Sequence, residues 1–207
     1  MSPWAAQMVR TRARSVAILA SCLCVLAPLA AAGGAFAADS GLDEVMNALA
    51  QRKQGHVSFV EKKFISILDR PVESSGELVY EAPDRLEQRT LKPKPETLVV
   101  QGNTVSAQRG RRHYVLDLRQ YPQIVPFIES LRATLAGDRA ALERVFKIDF
   151  SGSVTGWQLA LQPLDAQLAK TVREIHIEGE KDTIHSVEIL NTDGDRSLLT
   201  LGAEVTQ

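Results

Sequence analysis

Apolar and polar side chains alternate along residues 75–105, with almost no helical periodicity. Leu78 and Tyr80 share one side of this stretch, which breaks at residues 82–84 (Ala-Pro-Asp) and resumes through Leu86. Period-two alternation interrupted by turn residues predicts an antiparallel meander with one apolar face. A face of this length has to be covered by a second layer or by a ligand.

Further apolar patterns predict strands on both sides of this meander. A long strand over residues 56–68 precedes it, with a bulge where the alternation slips. Runs bounded by glycine, proline and aspartate follow it at residues 105–108, 113–118, 146–151, 157–162, 172–178, 183–190 and 195–202. The total is about ten antiparallel strands, so we expect a strongly curled sheet.

Two regions carry helical periodicity instead. Leu42, Val45, Met46 and Leu49 recur at the spacing of one helix face and predict a helix that opens the domain. Apolar residues recur every three to four positions across residues 121–135, which predicts one helix or two short ones. This apolar stripe needs a partner, and the open face of the sheet can supply it. The predicted fold class is mainly β with α, a curled sheet with helices on its concave side.

The first 37 residues have the three parts of a secretory signal. Three arginines precede an apolar run over residues 16–29, and an Ala-Phe-Ala cleavage site occupies residues 35–37. A lipoprotein-like box ends at Cys22, but the apolar run continues well past it, which favours a cleaved signal over a lipidated cysteine. We therefore expect export and a single domain over residues 38–207.

Composition adds the redox and charge context. Both cysteines lie in the predicted signal, so the mature chain can form no disulfide. The whole chain has 24 basic and 25 acidic side chains, and removal of the three signal arginines leaves 21 basic against 25 acidic, a net charge of −4. This balance gives no reason to expect nucleic acid or an anionic membrane surface as a partner.

The sequence carries no catalytic signature, since it has no Gly-x-Ser-x-Gly elbow and no His-x-x-x-His pair. His113 and Asp117 share one side of a short strand but lack a nucleophile. His176 and His185 would face each other across a late hairpin, where Glu174 could join them. Two histidines alone make a weak metal site. We therefore predict no metal, no cofactor and no enzymatic activity.

The order of these elements resembles a known family. The segments that carry the resemblance are GELVY at residues 76–80, APDRL at 82–86, ETLVV at 96–100, a Pro-Phe-Ile helix in mid-chain and DGDRS at 193–197. Together they resemble the LolA family, the periplasmic carriers of outer-membrane lipoproteins in Gram-negative bacteria. The chain looks closest to a LolA-like branch that is often associated with gene clusters for aryl polyene pigments.

The resemblance implies an unclosed half-barrel whose concave apolar face is covered by helices and forms a cavity for acyl chains. Regular alternation turns Leu78, Tyr80 and Leu86 inward, and the family places a large apolar side chain at the position of Leu86. The mid-chain helix would then form a lid. The expected ligand-binding residues are Phe59, Leu78, Tyr80, Leu86, Val99, Phe127, Ile128, Leu131 and Leu135.

One position departs from the family pattern. Related carriers have a basic residue before the proline of the APDRL segment, and its side chain helps to fasten the lid to the barrel. Here that position is Ala82. The departure implies either a different gating mechanism or a polar latch that has moved to Arg85 or Arg89.

The sequence therefore predicts a monomeric periplasmic carrier of a lipidated protein or lipid cargo. An inner-membrane transporter would supply the cargo and an outer-membrane acceptor would receive it. A carrier of another apolar lipid, such as a polyene-bearing lipid, is the first alternative. The second is an adaptor with a filled core that docks an inner-membrane exporter through the basic loop at residues 109–112. The simplest interpretation of this loop is an exposed turn whose charges are solvated.

Overall fold

The computed structural model describes residues 34–120 and 125–205. These residues form one eleven-stranded antiparallel sheet in the order β6-β5-β4-β3-β2-β1-β11-β10-β9-β8-β7. The strands are β1 Gln54–Phe64, β2 Val72–Glu81, β3 Arg85–Lys92, β4 Glu96–Gln101, β5 Thr104–Arg109, β6 Arg112–Asp117, β7 Phe146–Ser153, β8 Gly156–Pro163, β9 Val172–Glu180, β10 Thr183–Asn191 and β11 Arg196–Glu204. The predicted fold, a mainly β chain with an unclosed antiparallel barrel, is confirmed.

The described helices are α1 Gly34–Gln51, α2 Val125–Ala136 and α3 Arg139–Val145. Asp138 caps α3 by accepting a 2.9 Å hydrogen bond from the Ala141 amide. Between α2 and α3, Gly137 has a φ of +64°, and a Cβ there would fall 2.0 Å from the Met46 carbonyl oxygen. Only glycine allows this turn to pack so closely on α1, so the position ties the three helices together. None of the described helices is long and apolar enough to cross a membrane.

Strand register sets which side chains share the concave face. Tyr80 of β2 pairs with Leu86 of β3, Leu86 with Val100 of β4, and Val100 with Val105 of β5. Because side chains alternate along each strand, this row places the predicted inward residues of the meander on one face. Leu78 lies two residues before Tyr80 and shares that face.

The main hydrophobic core fills the half of the sheet formed by β7, β8 and β9. It includes Phe146, Trp157, Leu159, Leu161, Ile175 and Ile177, each no more than 4% exposed. Helices α1 and α3 supply the second layer, since the predicted face of α1, Leu42 with Val45, Met46 and Leu49, is buried in the same cluster as Leu142 of α3. This half of the molecule is a conventional packed core.

A smaller cluster lies near the opposite edge of the sheet. Val100 and Val105 are buried there with Leu118, which belongs to the short 3₁₀ helix Leu118–Gln120 after β6. Val125 and Ile128 of α2 pack against this group. Helix α2 is therefore held at the end of the sheet that carries the β2–β3 and β4–β5 turns.

Candidate functional site

An apolar cavity of about 580 Å³ lies on the concave face between the two clusters. Its apolar walls come from β1–β4, from β10 and β11, and from α2. The wall residues include Val57, Leu78, Tyr80, Leu86, Leu98, Val100, Ile128, Leu131, Leu135, Val187, Ile189, Leu199 and Leu201. Most of them are only half-buried, in contrast to the residues of the packed core. The volume is in the range of small-molecule ligand sites.

Six predicted ligand-binding residues line this cavity. Leu78, Tyr80 and Leu86 come from the meander, and Ile128, Leu131 and Leu135 come from α2. That these six residues bind a ligand stays a prediction. The side chain of Phe127 lies outside the described residues.

Phe59 and Val99 do not line the cavity. Phe59 is 2% exposed and paired with Gly76 and Leu201, so it is packed within the wall. Val99 pairs opposite Glu87, which places it on the other face, and its neighbours Leu98 and Val100 line the cavity instead. A one-residue error in register exchanges the two faces of a strand.

Sequence reasoning missed the wall formed by β10 and β11. Val187 and Ile189 alternate on β10, and Leu199 and Leu201 alternate on β11. This period-two signal is present in the sequence. What brings these strands to the meander is the pairing of β1 with β11, for example Glu61 with Leu199, which joins distant parts of the chain.

One end of the cavity carries a polar group around Glu61. Its carboxylate accepts hydrogen bonds from Ser197 Oγ at 2.8 Å and from Ser74 Oγ at 3.1 Å. Lys63 Nζ lies 3.3 Å from the same carboxylate. Glu61, Lys63 and Ser197 also line the cavity. The Glu61 carboxylate is therefore paired with a cation and hydrogen-bonded.

The other end carries Arg52, which follows α1. Its guanidinium forms an ion pair with Glu204 and lies 3.7 Å from Asp182. Arg52 and Asp182 line the cavity together with Tyr80. Burial raises the pKa of the Tyr80 phenol, so this side chain is neutral over the physiological range.

The lid is fastened to the sheet by Arg132 of α2. Its guanidinium donates a 2.6 Å hydrogen bond to the Gly102 carbonyl in the β4–β5 turn and a 3.0 Å bond to Glu129. The Gly102 amide in turn donates to Asp84 Oδ2 at 2.9 Å. These bonds connect α2, the β4–β5 turn and the β2–β3 turn in one chain.

The predicted latch residues lie elsewhere. Arg85 and Arg89 alternate with Leu86 and both donate to Glu87 on the opposite face of the sheet, Arg89 Nε at 2.5 Å. Strand alternation turns both β3 arginines away from α2, and the contact between α2 and the β4–β5 turn is made by Arg132 instead. The hydrogen bond from Arg89, reinforced by Arg85, holds the pKa of the Glu87 carboxyl below its usual range despite its burial.

Of the side chains considered for catalysis or metal binding, Glu174 and His176 meet, with His176 Nε2 3.0 Å from the Glu174 carboxylate. His176 pairs opposite Glu188, and His185 lies at an irregularity of β10, so the predicted face-to-face pairing of the two histidines is wrong. Asp117 binds the guanidinium of Arg119. Among the residues that the structure describes, no group of three or more histidine, cysteine, aspartate or glutamate side chains could hold a metal ion.

The structure is thus an unclosed antiparallel sheet whose concave face forms an apolar cavity beneath helix α2. The sequence match agrees: residues 31–206 match the family described as outer membrane lipoprotein carrier protein LolA-like, and the chain belongs to this family. No curated protein matches the chain in sequence.

Solved structures with a similar fold have little sequence identity. A LolA superfamily protein from Nitrosomonas europaea is 9% identical with a TM-score of 0.43, and the alignment covers 82% of this chain and 93% of the Nitrosomonas chain. Lipoprotein LppX of Mycobacterium tuberculosis is 11% identical with a TM-score of 0.48, and the alignment covers 82% of this chain and 96% of the LppX chain. An outer membrane lipoprotein-sorting protein domain from Vibrio parahaemolyticus is 10% identical with a TM-score of 0.44, and the alignment covers 82% of this chain and 93% of the Vibrio chain.

Proposed function

We propose that this protein is a periplasmic carrier that binds the acyl chains of lipoproteins in its cavity and shuttles them toward the outer membrane. The observation that carries the proposal is the half-covered apolar cavity of about 580 Å³ in a chain of the LolA-like family. Each methylene group that leaves water contributes about 0.8 kcal/mol, so acyl chains supply the driving force without a specific polar contact.

Helix α2 acts as a lid that closes and opens the cavity in each round of binding and release. Ile128, Leu131 and Leu135 cover part of the wall in the empty protein, which limits the apolar surface in water. Acyl chains that enter replace these lid contacts with their own. The carrier then acts as a monomer that takes cargo from an inner-membrane transporter and delivers it to an outer-membrane acceptor, driven by graded affinity rather than by chemistry.

A carrier of a different apolar lipid is the second candidate. Ala82 favours it, because the basic residue that fastens the lid in related carriers is replaced and the latch lies at Arg132. A polyene-bearing lipid of the kind made by aryl polyene clusters would fit the same walls. The adaptor alternative requires a filled core, which an apolar cavity of this size does not favour.

A fluorescent fatty-acid probe tests acyl binding directly. Leu86→Glu and Leu98→Glu each place a carboxylate in the wall and are expected to abolish probe binding while the circular dichroism spectrum persists. The matched control is Leu91→Glu on the same strand as Leu86, since Leu91 is 56% exposed and lies outside the cavity. Native affinity in both wall variants would contradict the proposal.

An extrinsic probe is needed because Trp157 is 1% exposed in the packed core and does not line this cavity. Mass spectrometry of lipids that co-purify from the periplasm separates the two carriers. Triacylated lipoprotein supports the first proposal, and a polyene-bearing lipid supports the second.

A further inference from the structure

Three strand connections meet at one end of the sheet beside the cavity. We call residues 62–73, 90–96 and 109–112 the basic rim. In an antiparallel meander the β1–β2, β3–β4 and β5–β6 connections lie at the same end. The register confirms this placement, since Lys63 pairs with Val72 and Arg109 pairs with Arg112 at the ends of their strands.

The fold concentrates positive charge in this rim. Its three segments hold eight basic and three acidic side chains, whereas the whole chain holds 24 basic and 25 acidic. Arg109 pairs with Glu96, and Lys62 with Glu73. Arg70, Lys92, Lys94, Arg111 and Arg112 are exposed and have no carboxylate partner among the described residues. The overall charge balance concealed this asymmetry, because the acidic side chains lie mainly elsewhere.

Large apolar side chains are exposed in the same rim. Ile67 is 88% exposed, Leu91 56% and Leu68 48%. Ile67 stands at the tip of a turn closed by a 2.9 Å hydrogen bond from the Leu68 amide to the Ile65 carbonyl. Exposed apolar side chains grouped within a charged surface mark a contact site for another molecule or for a membrane.

The turn is also fixed at its base. The Ser66 amide donates a 2.8 Å hydrogen bond to Asp195 Oδ1 in the β10–β11 turn. That bond joins the rim to the strands of the opposite cavity wall. Ile67 is therefore presented by a turn with defined contacts rather than by a long free loop.

The rim borders one end of the cavity. Lys63, Ser197 and Asn191 lie at the strand ends on this side and line the cavity. Helix α2 lies at the opposite end, where Arg132 binds Gly102 of the β4–β5 turn. Cargo that enters or leaves past these strand ends would pass directly beside the basic rim.

We propose that the basic rim docks the protein on an anionic lipid surface, with Ile67 and Leu68 inserted among the lipid headgroups and the adjacent end of the cavity facing the bilayer. Basic side chains near an anionic surface add affinity, and an inserted aliphatic side chain adds a salt-independent contribution. An apolar turn that projects from a basic surface matches an extended anionic lipid surface better than it matches a single pocket on an acidic protein.

Vesicle flotation tests this docking. The purified protein is mixed with vesicles of phosphatidylcholine alone or of phosphatidylcholine with phosphatidylglycerol, at low and high salt. We expect flotation only with phosphatidylglycerol and a decrease with salt. Ile67→Asp should lower partition by about ten-fold or more, and Lys92→Glu with Lys94→Glu should lower it by about 25-fold.

The matched control is Leu164→Asp. Leu164 is 60% exposed in the connection after β8, outside the basic rim. This variant should float like the native protein. Absence of flotation with phosphatidylglycerol, equal flotation with both vesicle types, or an equal loss in Leu164→Asp would each overturn the docking proposal.

Probe binding in solution separates this inference from the proposed function. Ile67→Asp should keep the native affinity for the fatty-acid probe, because Ile67 does not line the cavity. Loss of vesicle binding with intact probe binding supports docking. Flotation of a protein that binds no fatty-acid probe would leave docking intact and overturn the carrier function alone.

Discussion

The two halves of the sheet use the same alternating pattern but differ in what covers their concave faces. In the filled half, Leu159 of β8 and Ile177 of β9 are at most 4% exposed beneath α1 and α3. In the hollow half, Leu86 of β3 and Leu199 of β11 are only half-buried and line the cavity. Coverage by helices, rather than the composition of the strands, distinguishes the stabilising half from the half that is available to a ligand.

The outer face of the hollow half carries a group of ion pairs. In the hollow half, Glu87 is only 6% exposed and is held between Arg85 and Arg89. His56 Nε2 lies 3.0 Å from Glu77 on the neighbouring strands. The Glu87 pairs lie within β3, and the contact between His56 and Glu77 links β1 to β2. We therefore expect mutations to affect the two halves by different mechanisms.

The largest effect is expected from truncating a leucine in the filled half. Leu159→Ala should lower the free energy of unfolding by about 2–5 kcal/mol, because it leaves a void in a packed core. The same change in the hollow half, Leu199→Ala, should cost about 1 kcal/mol or less, because that side chain already faces open space. Urea denaturation of both variants measures the difference, and equal losses would contradict the division into two halves.

The second prediction concerns the ion pairs on the outer face of the hollow half. Glu87→Gln removes a largely buried carboxylate and weakens the charge-assisted hydrogen bonds that it accepts from Arg85 and Arg89, so it should cost about 2 kcal/mol of unfolding free energy at neutral pH. Glu77→Gln, a more exposed carboxylate on the adjacent strand, is the matched control and should cost less.

The pH dependence sharpens this test. The pKa of Glu87 is lowered in the folded protein, chiefly by the hydrogen bond from Arg89. Its contribution is therefore complete above the ordinary pKa of a glutamate and is lost as the pH falls below that value toward the folded-state pKa. The stability difference between the native protein and Glu87→Gln should shrink over this acidic range. A difference that stays constant with pH would refute the ion-pair explanation.

Sequence reasoning succeeded where the signal was local. The alternation at Leu78 and Tyr80 and the apolar face of α1 each predict an element from a few neighbouring residues. The cavity itself came from the family resemblance, since periodicity does not distinguish a filled core from a hollow one. The division into halves depends on where α1, α2 and α3 dock, which no local pattern encodes.

The error at Val99 has one physical cause, which is strand register. Val99 was expected inside and Leu98 lies there, because pairing of β3 with β4 is fixed by contacts across strands rather than within one. Arg85 and Arg89 face the other side of the sheet, as the inward position of Leu86 on the same strand already implies. The basic rim was missed for a related reason, since its three segments are far apart in sequence and only the antiparallel order brings them together.

The smallest expected effect concerns the contact between the lid and the hollow half. Arg132→Met keeps most of the apolar stem but removes the hydrogen bonds to Gly102 and Glu129. We expect a loss of about 1 kcal/mol in unfolding free energy. The release rate of a bound fatty-acid probe should rise about five-fold, because less energy then holds α2 over the cavity.

Arg144→Met on the filled half is the matched control, since Arg144 is an exposed residue of α3 that does not line the cavity. It should leave both stability and probe release near native values. Faster release in both variants would mean that the effect reflects general loosening of the helical layer. Faster release in Arg132→Met alone would locate the latch at the β4–β5 turn, because the Gly102 carbonyl is the sheet group that this side chain binds.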